Sequence, residues 1–281
     1  METIGVRTVD GLSFTTTVAG SGEAGTVLLL HGFPESRSIW DAAVTLLAAH
    51  GYRAIAPDQR GYSAGARPDV AVLDNYAIDR LLADALAVAD AAGAAGRPFH
   101  LVGHDWGGQL AWFLADRHAD RVQSLSVLSR PHPGAFERAY RDPDGVQKHL
   151  SRHHGAFLDP RTTTMLLEDG ARRLRRMFAT HGVAAPEIER QLAVIGNAPA
   201  LEAALTWYRA HTSRLEIGRI RVPTLYVWGD ADGTIGEKAA RSTSDFVDAP
   251  YRLEVLPGVG HFVMDQAPAA AARLILEHVS Q

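Results

Sequence analysis

Residues 99–112 read Phe-His-Leu-Val-Gly-His-Asp-Trp-Gly-Gly-Gln-Leu-Ala-Trp, an apolar run that turns at a glycine-flanked aspartate into a helical pattern. Gly103 and Gly107 stand two residues before and two residues after Asp105. Small residues at those places let a strand and a helix approach closely around a strained turn residue, whose side chain is lifted off the strand end. Aspartate at a helix start also has a plainer use, capping the first free backbone N–H groups. What surrounds the stretch decides between the two.

Working outward from it, short β-rich runs alternate with helical windows. The strands are LSFTTTVA (12–19), TVLLLH (26–31), YRAIAPD (52–58), FHLVGH (99–104) and VQSLSVLS (122–129), with helices near 37–50, 76–93 and 106–119. That rhythm indicates an α/β fold with a mostly parallel central sheet flanked by helices on both faces. The first two runs, ahead of the alternation, read as an antiparallel hairpin at the sheet edge. After Pro131 the rhythm breaks into helical periodicity without a strand, then resumes with PTLYVWGD (223–230), YRLEVLP (251–257) and a closing helix APAAAARLILEHV (267–279). The expected organisation is a core of residues 1–133 and 219–281 and an inserted helical cap, 134–218. The basic run ARRLRR (171–176) inside the insertion reads as a solvated helix face.

Composition narrows the function. The 281 residues are 46% hydrophobic, enough for a substantial core, and the formal charge of −4 gives no basic footprint for nucleic acid or an anionic membrane. The absence of cysteine removes disulfides, thiolate catalysis and cysteine-ligated metals, leaving 13 histidines to carry any metal case. The adjacent pair His153 and His154 is a poor start, since neighbours on a helix point about 100° apart and no third ligand is evident. The N-terminal residues lack a basic stretch followed by an apolar run, and no segment reaches the roughly 18 apolar residues of a membrane span. The expectation is a cytoplasmic protein that needs no cofactor and no metal.

Three further stretches favour Asp105 as a nucleophile. Its setting has the spacing of the Gly-x-Ser-x-Gly nucleophile elbow with aspartate in the serine place. LLLHGFPE (28–35) puts Phe33 in a loop after a buried strand, where its N–H can join that of Trp106 in an oxyanion hole. VWGDADG (227–233) places Asp232 just past one late strand, preferred over Asp230 two residues earlier, and LPGVGHF (256–262) places His261 past the next. The order Asp105, Asp232, His261 is nucleophile, acid, base.

Together HGFPE, PDQRGYSAGARP, VGHDWGG, VWGDAD and GVGHF resemble the α/β-hydrolase superfamily, and within it the epoxide hydrolase branch, with haloalkane dehalogenases as the nearest relatives. The resemblance covers nearly the whole chain. It implies that the insertion is a helical cap over the active site and that two cap tyrosines protonate the opening epoxide. LTWYRA (205–210) is similar to the second tyrosine motif and puts Tyr208 in that place. Aligning SRHHGAFLDP (151–160) on the first puts His153 where the tyrosine is expected; a histidine can also donate a hydrogen bond or a proton.

The chemistry of a carboxylate fits this branch. A carboxylate with a pKa near ~3.9 is more than ~99% ionised at neutral pH and attacks without a base, whereas serine needs one. Attack on an ester would give an anhydride; attack on an sp3 carbon bearing a strained or good leaving group gives an ordinary ester. The electrophile is therefore an epoxide or an alkyl halide. His261, oriented by Asp232, then activates the water that hydrolyses the ester. For dehalogenation the family resemblance calls for asparagine after His-Gly, where this chain has Phe33, and the fluoroacetate branch resembles His-Asp-Arg rather than His104-Asp105-Trp106.

The resulting expectation is an epoxide hydrolase with Asp105, Asp232, His261 and Tyr208 as catalytic residues, and Phe33, Trp106, His153, His154, Phe157 and Trp207 around the substrate. The alternatives are a haloalkane dehalogenase with the same triad, and a binding or non-hydrolytic protein on the same fold. Cap residues Phe136, Tyr140, Phe157, Met165 and Trp207 point to an apolar or aromatic epoxide, with Trp40 and Trp228 in the core or pocket wall. The expected partners are that substrate, water and a second copy in a homodimer, with neither nucleic acid nor membrane.

Overall fold

The computed structural model describes every residue except Val9 and Arg214. Its strands are β1 (Glu2–Arg7), β2 (Ser13–Ala19), β3 (Gly25–Leu30), β4 (Tyr52–Pro57), β5 (Phe99–His104), β6 (Val122–Leu128), β7 (Thr224–Gly229) and β8 (Tyr251–Leu256). They form one sheet in the order β1-β2-β4-β3-β5-β6-β7-β8. Pairing is antiparallel for β1 with β2 and for β2 with β4, and parallel from β4 through β8. The parallel centre explains the unbroken apolar runs. β5 and β7 are buried at every position because helices cover both faces, whereas β8 is half-buried throughout as the outermost strand.

One expectation about the edge is corrected. The hairpin is not formed by the runs at 12–19 and 26–31; β2 pairs instead with β1 and β4. β1 carries only one buried residue, Val6, among its six, so its alternation is nearly silent in the sequence.

Helices α1 (Asp41–Ala49), α2 (Ile78–Ala89) and α3 (Trp106–Arg117) connect the first half of the sheet. On one face Val44 and Leu47 of α1 pack with Ala271, Ile275 and Val279 of the closing helix. On the other, Leu81 and Leu82 of α2 pack with Leu110 and Phe113 of α3. Trp40 and Trp228 are both buried.

Between β6 and β7 run α4 (Pro133–Arg141), α5 (Gln147–Leu150), α6 (His153–Phe157), α7 (Thr162–Thr180), α8 (Ala185–Ile195) and α9 (Ala198–Ala210). After β7 come α10 (Glu237–Arg241), α11 (Val263–Gln266) and the closing helix α12 (Pro268–Val279). The inserted helices are fastened to the loops that leave the sheet. The fully buried amide of Gln191 accepts from the Ser36 N–H at 2.7 Å, and the Trp207 indole donates to the Arg60 carbonyl at 3.1 Å. Gln147 donates to the Thr234 carbonyl at 2.7 Å and accepts from the Gly236 N–H at 2.9 Å. The basic run on α7 buries Leu174 and turns its arginines outward, Arg172 to Asp169 and Arg175 to Glu189. Among the described residues no helix is long and apolar enough to cross a membrane.

Candidate active site

Asp105 sits between β5 and α3 with φ +47° and ψ −114°. A non-glycine residue with positive φ carries strain that its surroundings must impose. The two glycines show how: a Cβ on Gly103 would collide with the Gly107 backbone, and one on Gly107 with the backbone of Leu30. Asp105 occupies the N-cap position, yet its side chain caps nothing. Its Oδ1 accepts from the Phe33 N–H at 3.0 Å and its Oδ2 lies 3.7 Å from His261 Nε2. Trp106, the first residue of α3, adds an N–H from the free set at a helix start.

His261 Nδ1 is 3.0 Å from Asp232 Oδ2, so the imidazole bridges the two carboxylates. Asp232 is buried, and its Oδ1 accepts from the N–H groups of Thr234 and Ile235 at 2.7 and 3.0 Å. Asp230 instead accepts from the Gly258 N–H at 2.6 Å on the exposed side of the turn, which leaves Asp232 as the partner of His261. Thr234 is a residue the sequence pattern did not single out. Its hydroxyl donates to Asp232 Oδ1 at 2.8 Å and accepts from His261 Nδ1–H at 2.7 Å. The one available signal is the turn chemistry of an Asp followed two residues on by Thr.

This geometry sets the charges. Burial works to raise the Asp105 pKa, but the hydrogen bond and charge of His261, with His104 and Arg130, outweigh it and hold the carboxyl well below its ordinary value. Burial likewise works to depress His261, and the Asp232 charge, with hydrogen bonds to Asp105 and Asp232, overcomes it and raises the imidazole to about 10. The resting pair at neutral pH is a carboxylate facing an imidazolium.

Behind Asp105 lies a second buried network. His104 Nδ1 is 2.6 Å from Glu35 Oε2 and its Nε2 is 2.8 Å from the His261 carbonyl. Both partners accept hydrogen bonds, so the ring serves both only as an imidazolium; burial opposes that charge and Glu35 restores it. Asp265 is pushed up to about 9 by burial and by Glu35, and each of these two acids keeps one buried oxygen with no other partner. A proton held by Asp265 satisfies the pair.

Across from Asp105 stands half-buried Tyr208 of α9, its ring 5.2 Å from Trp106, 5.4 Å from Phe33 and 4.8 Å from Phe157. Burial, then the Asp105 charge, keep its hydroxyl protonated well above the usual tyrosine range. A chamber of about 290 Å³ between the sheet and the inserted helices is lined by Asp105, His261, Tyr208, Phe33, Phe157, His153 and His154. His153 donates Nδ1–H to the Leu150 carbonyl at 3.0 Å, leaving Nε2 a bare acceptor in the neutral ring. Burial lowers the pKa of His153, and it lowers that of His154 to about 3 with help from the charges of His153 and Arg130.

Two expectations fail. Trp207 does not line that chamber: only 2% exposed, it points its indole at Arg60 and packs against Tyr62, because neighbours on α9 point about 100° apart and Tyr208 takes the inner position. Met165 is exposed on α7 and does not line this chamber.

A parallel sheet whose elbow aspartate meets a histidine and a second aspartate, carried on the turns after β7 and β8, defines a class. The chain belongs to the alpha/beta hydrolase fold family, whose profile it matches over residues 25–268. It is 30% identical over 283 residues to "Epoxide hydrolase 3" of Xenopus tropicalis, covering 96% of this chain and 76% of that one. It is also 30% identical over 320 residues to "Epoxide hydrolase A" of Mycobacterium tuberculosis, covering 98% and 97%. A solved structure from a study of novel epoxide hydrolases in metagenomes from hot environments superposes with a TM-score of 0.83 at 29% identity, covering 98% of each chain.

Proposed function

We propose that the protein is an epoxide hydrolase that opens an epoxide to a vicinal diol through a covalent ester on Asp105. The observation that carries this is the position of the Asp105 carboxylate, with one oxygen on the Phe33 N–H, the other facing His261, and a protonated tyrosine across the chamber. In this reading residues 134–218 are the cap and 1–133 with 219–281 the core.

Asp105 attacks a ring carbon, the C–O bond breaks, and Tyr208 gives its proton to the departing oxygen. The ester no longer carries the Asp105 charge, which removes one of the two carboxylates that hold His261 protonated. The imidazolium then yields its proton, through water, to the tyrosinate. Neutral His261 next takes a proton from the water that attacks the ester carbonyl, while the N–H groups of Phe33 and Trp106 receive the oxyanion. Expulsion of the alkoxide and one proton shift restore the Asp105 carboxylate and release the diol, so every proton borrowed is returned. A histidine at the place of the first cap tyrosine joins ring opening only when protonated, since its neutral form presents an acceptor. Tyr208 is therefore the principal acid.

Diol formation from a panel of aliphatic and aromatic epoxides, run beside halide release from matched haloalkanes, tests the reading. Diol without halide is expected; halide without diol would move the assignment to dehalogenation.

A further inference from the structure

A second chamber of about 480 Å³ adjoins the first and shares with it Asp105, Arg130, Phe136, His154 and Tyr208. Arg130 is the single arginine or lysine among the described residues lining it. Its Nε donates to the Gln109 amide at 2.9 Å and its guanidinium lies 4.8 Å from the centre of the Phe136 ring. Among the described residues no carboxylate comes within ion-pair distance of it, and neither terminal nitrogen has a hydrogen-bond partner. Arg130 lines both chambers beside Asp105, and its terminal nitrogens are not among the sealed, unpartnered buried atoms of the described residues. A half-buried cation without a carboxylate partner is costly unless something anionic completes it.

The other charged residues of this chamber do not supply that group. Glu137 is engaged by Arg141 at 2.5 Å, and Asp105, which feels the Arg130 charge only from beyond ion-pair distance, takes its hydrogen bonds from Phe33 and His261. Burial keeps His154 and His211 neutral at neutral pH. The rest of the wall includes Phe136, Tyr140, Leu158 and Leu215, which suit an apolar arm.

We propose that the free face of Arg130 is an anion subsite, and that the preferred substrates are epoxides carrying a carboxylate at the end of an apolar arm. This rests on the epoxide reading above. A guanidinium fork matches a planar carboxylate with two parallel hydrogen bonds. Bound there, the acid lies in the second chamber while the ring reaches Asp105 at the junction of the two, and Arg130 offsets the repulsion between the substrate anion and the nucleophile.

The test compares terminal epoxyalkanoates of increasing chain length with their methyl esters. At the best length kcat/KM for the acid exceeds that for the ester by about tenfold or more, the scale of a charge-assisted pair. Arg130→Gln collapses the acid-to-ester ratio toward one, and Arg130→Lys restores part of it, because the charge remains without the fork. Equal turnover of acid and ester by the natural protein, or an unchanged ratio in Arg130→Gln, overturns the subsite and leaves the epoxide reading standing. Calorimetric binding of hexanoate against hexanamide needs no turnover: hexanoate favoured by the natural protein and not by Arg130→Gln supports the subsite even if every epoxide is inert. No preference for hexanoate overturns it.

Discussion

Replacing Thr234 with valine separates the two chemical steps. The hydroxyl lies 2.7 Å from His261 Nδ1 and 2.8 Å from Asp232 Oδ1, so it supports both members of the charge pair. Valine keeps the shape and removes those bonds, while Asp232 Oδ1 retains the two backbone donors and His261 retains Asp232 at 3.0 Å. A hydrogen bond to a charged group is worth about 1.5–3 kcal/mol, and the surviving partners put the loss near the lower end. About 1.4 kcal/mol corresponds to one pKa unit and tenfold in rate. His261, raised to about 10, therefore falls by about one, and ester hydrolysis, which regenerates the imidazolium, slows roughly tenfold. Ring opening does not use the imidazole and keeps its rate. Rapid-quench mass spectrometry of single turnovers reads both steps as growth and decay of the protein adduct. Equal slowing of both steps, or no change in decay, would refute the reasoning.

Asp105→Asn removes the proposed nucleophile and should abolish diol formation; wild-type-like rates in fresh protein, with deamidation excluded by mass, would remove Asp105 from that role. Tyr208→Phe should slow epoxide opening by roughly a hundredfold or more and reaction with an alkyl halide far less; equal effects would leave Tyr208 a pocket wall. His261 also predicts a stability profile. Its folded pKa of about 10 lies above the unfolded value near ~6.5, so its contribution is complete below the lower value and is lost as pH climbs to the upper one. The urea-midpoint difference between the natural protein and His261→Gln should shrink from pH 6.5 to 9.5, and a flat difference would contradict the charge assignment.

Much of this was legible in the chain because the central strands are buried on both faces and read as unbroken apolar runs, and because the elbow glycines are dictated by backbone contact at fixed offsets. β1 escaped because an edge strand with one buried residue leaves little pattern, and the pairing of β2 depends on a distant strand. Asp105, Asp232 and His261 stand in the turns just past strand ends, so their positions follow from strand order. Arg130 and Thr234 do not: one is a cation whose partners come from α3 and α4, the other a hydroxyl placed by a turn. The motif singles out Tyr208 but not which way its neighbour Trp207 faces; the orientation of α9 puts Trp207 in the core and Tyr208 at the chamber.

The central claim is the covalent ester, and intact-protein mass spectrometry of His261→Gln tests it most directly, since that variant can form the ester but lacks the base to hydrolyse it. After incubation with an epoxide, the account predicts an added mass equal to the whole epoxide, mapped by peptide digestion to Asp105. An adduct elsewhere, or diol formation by this variant at the natural rate without any adduct, would contradict it.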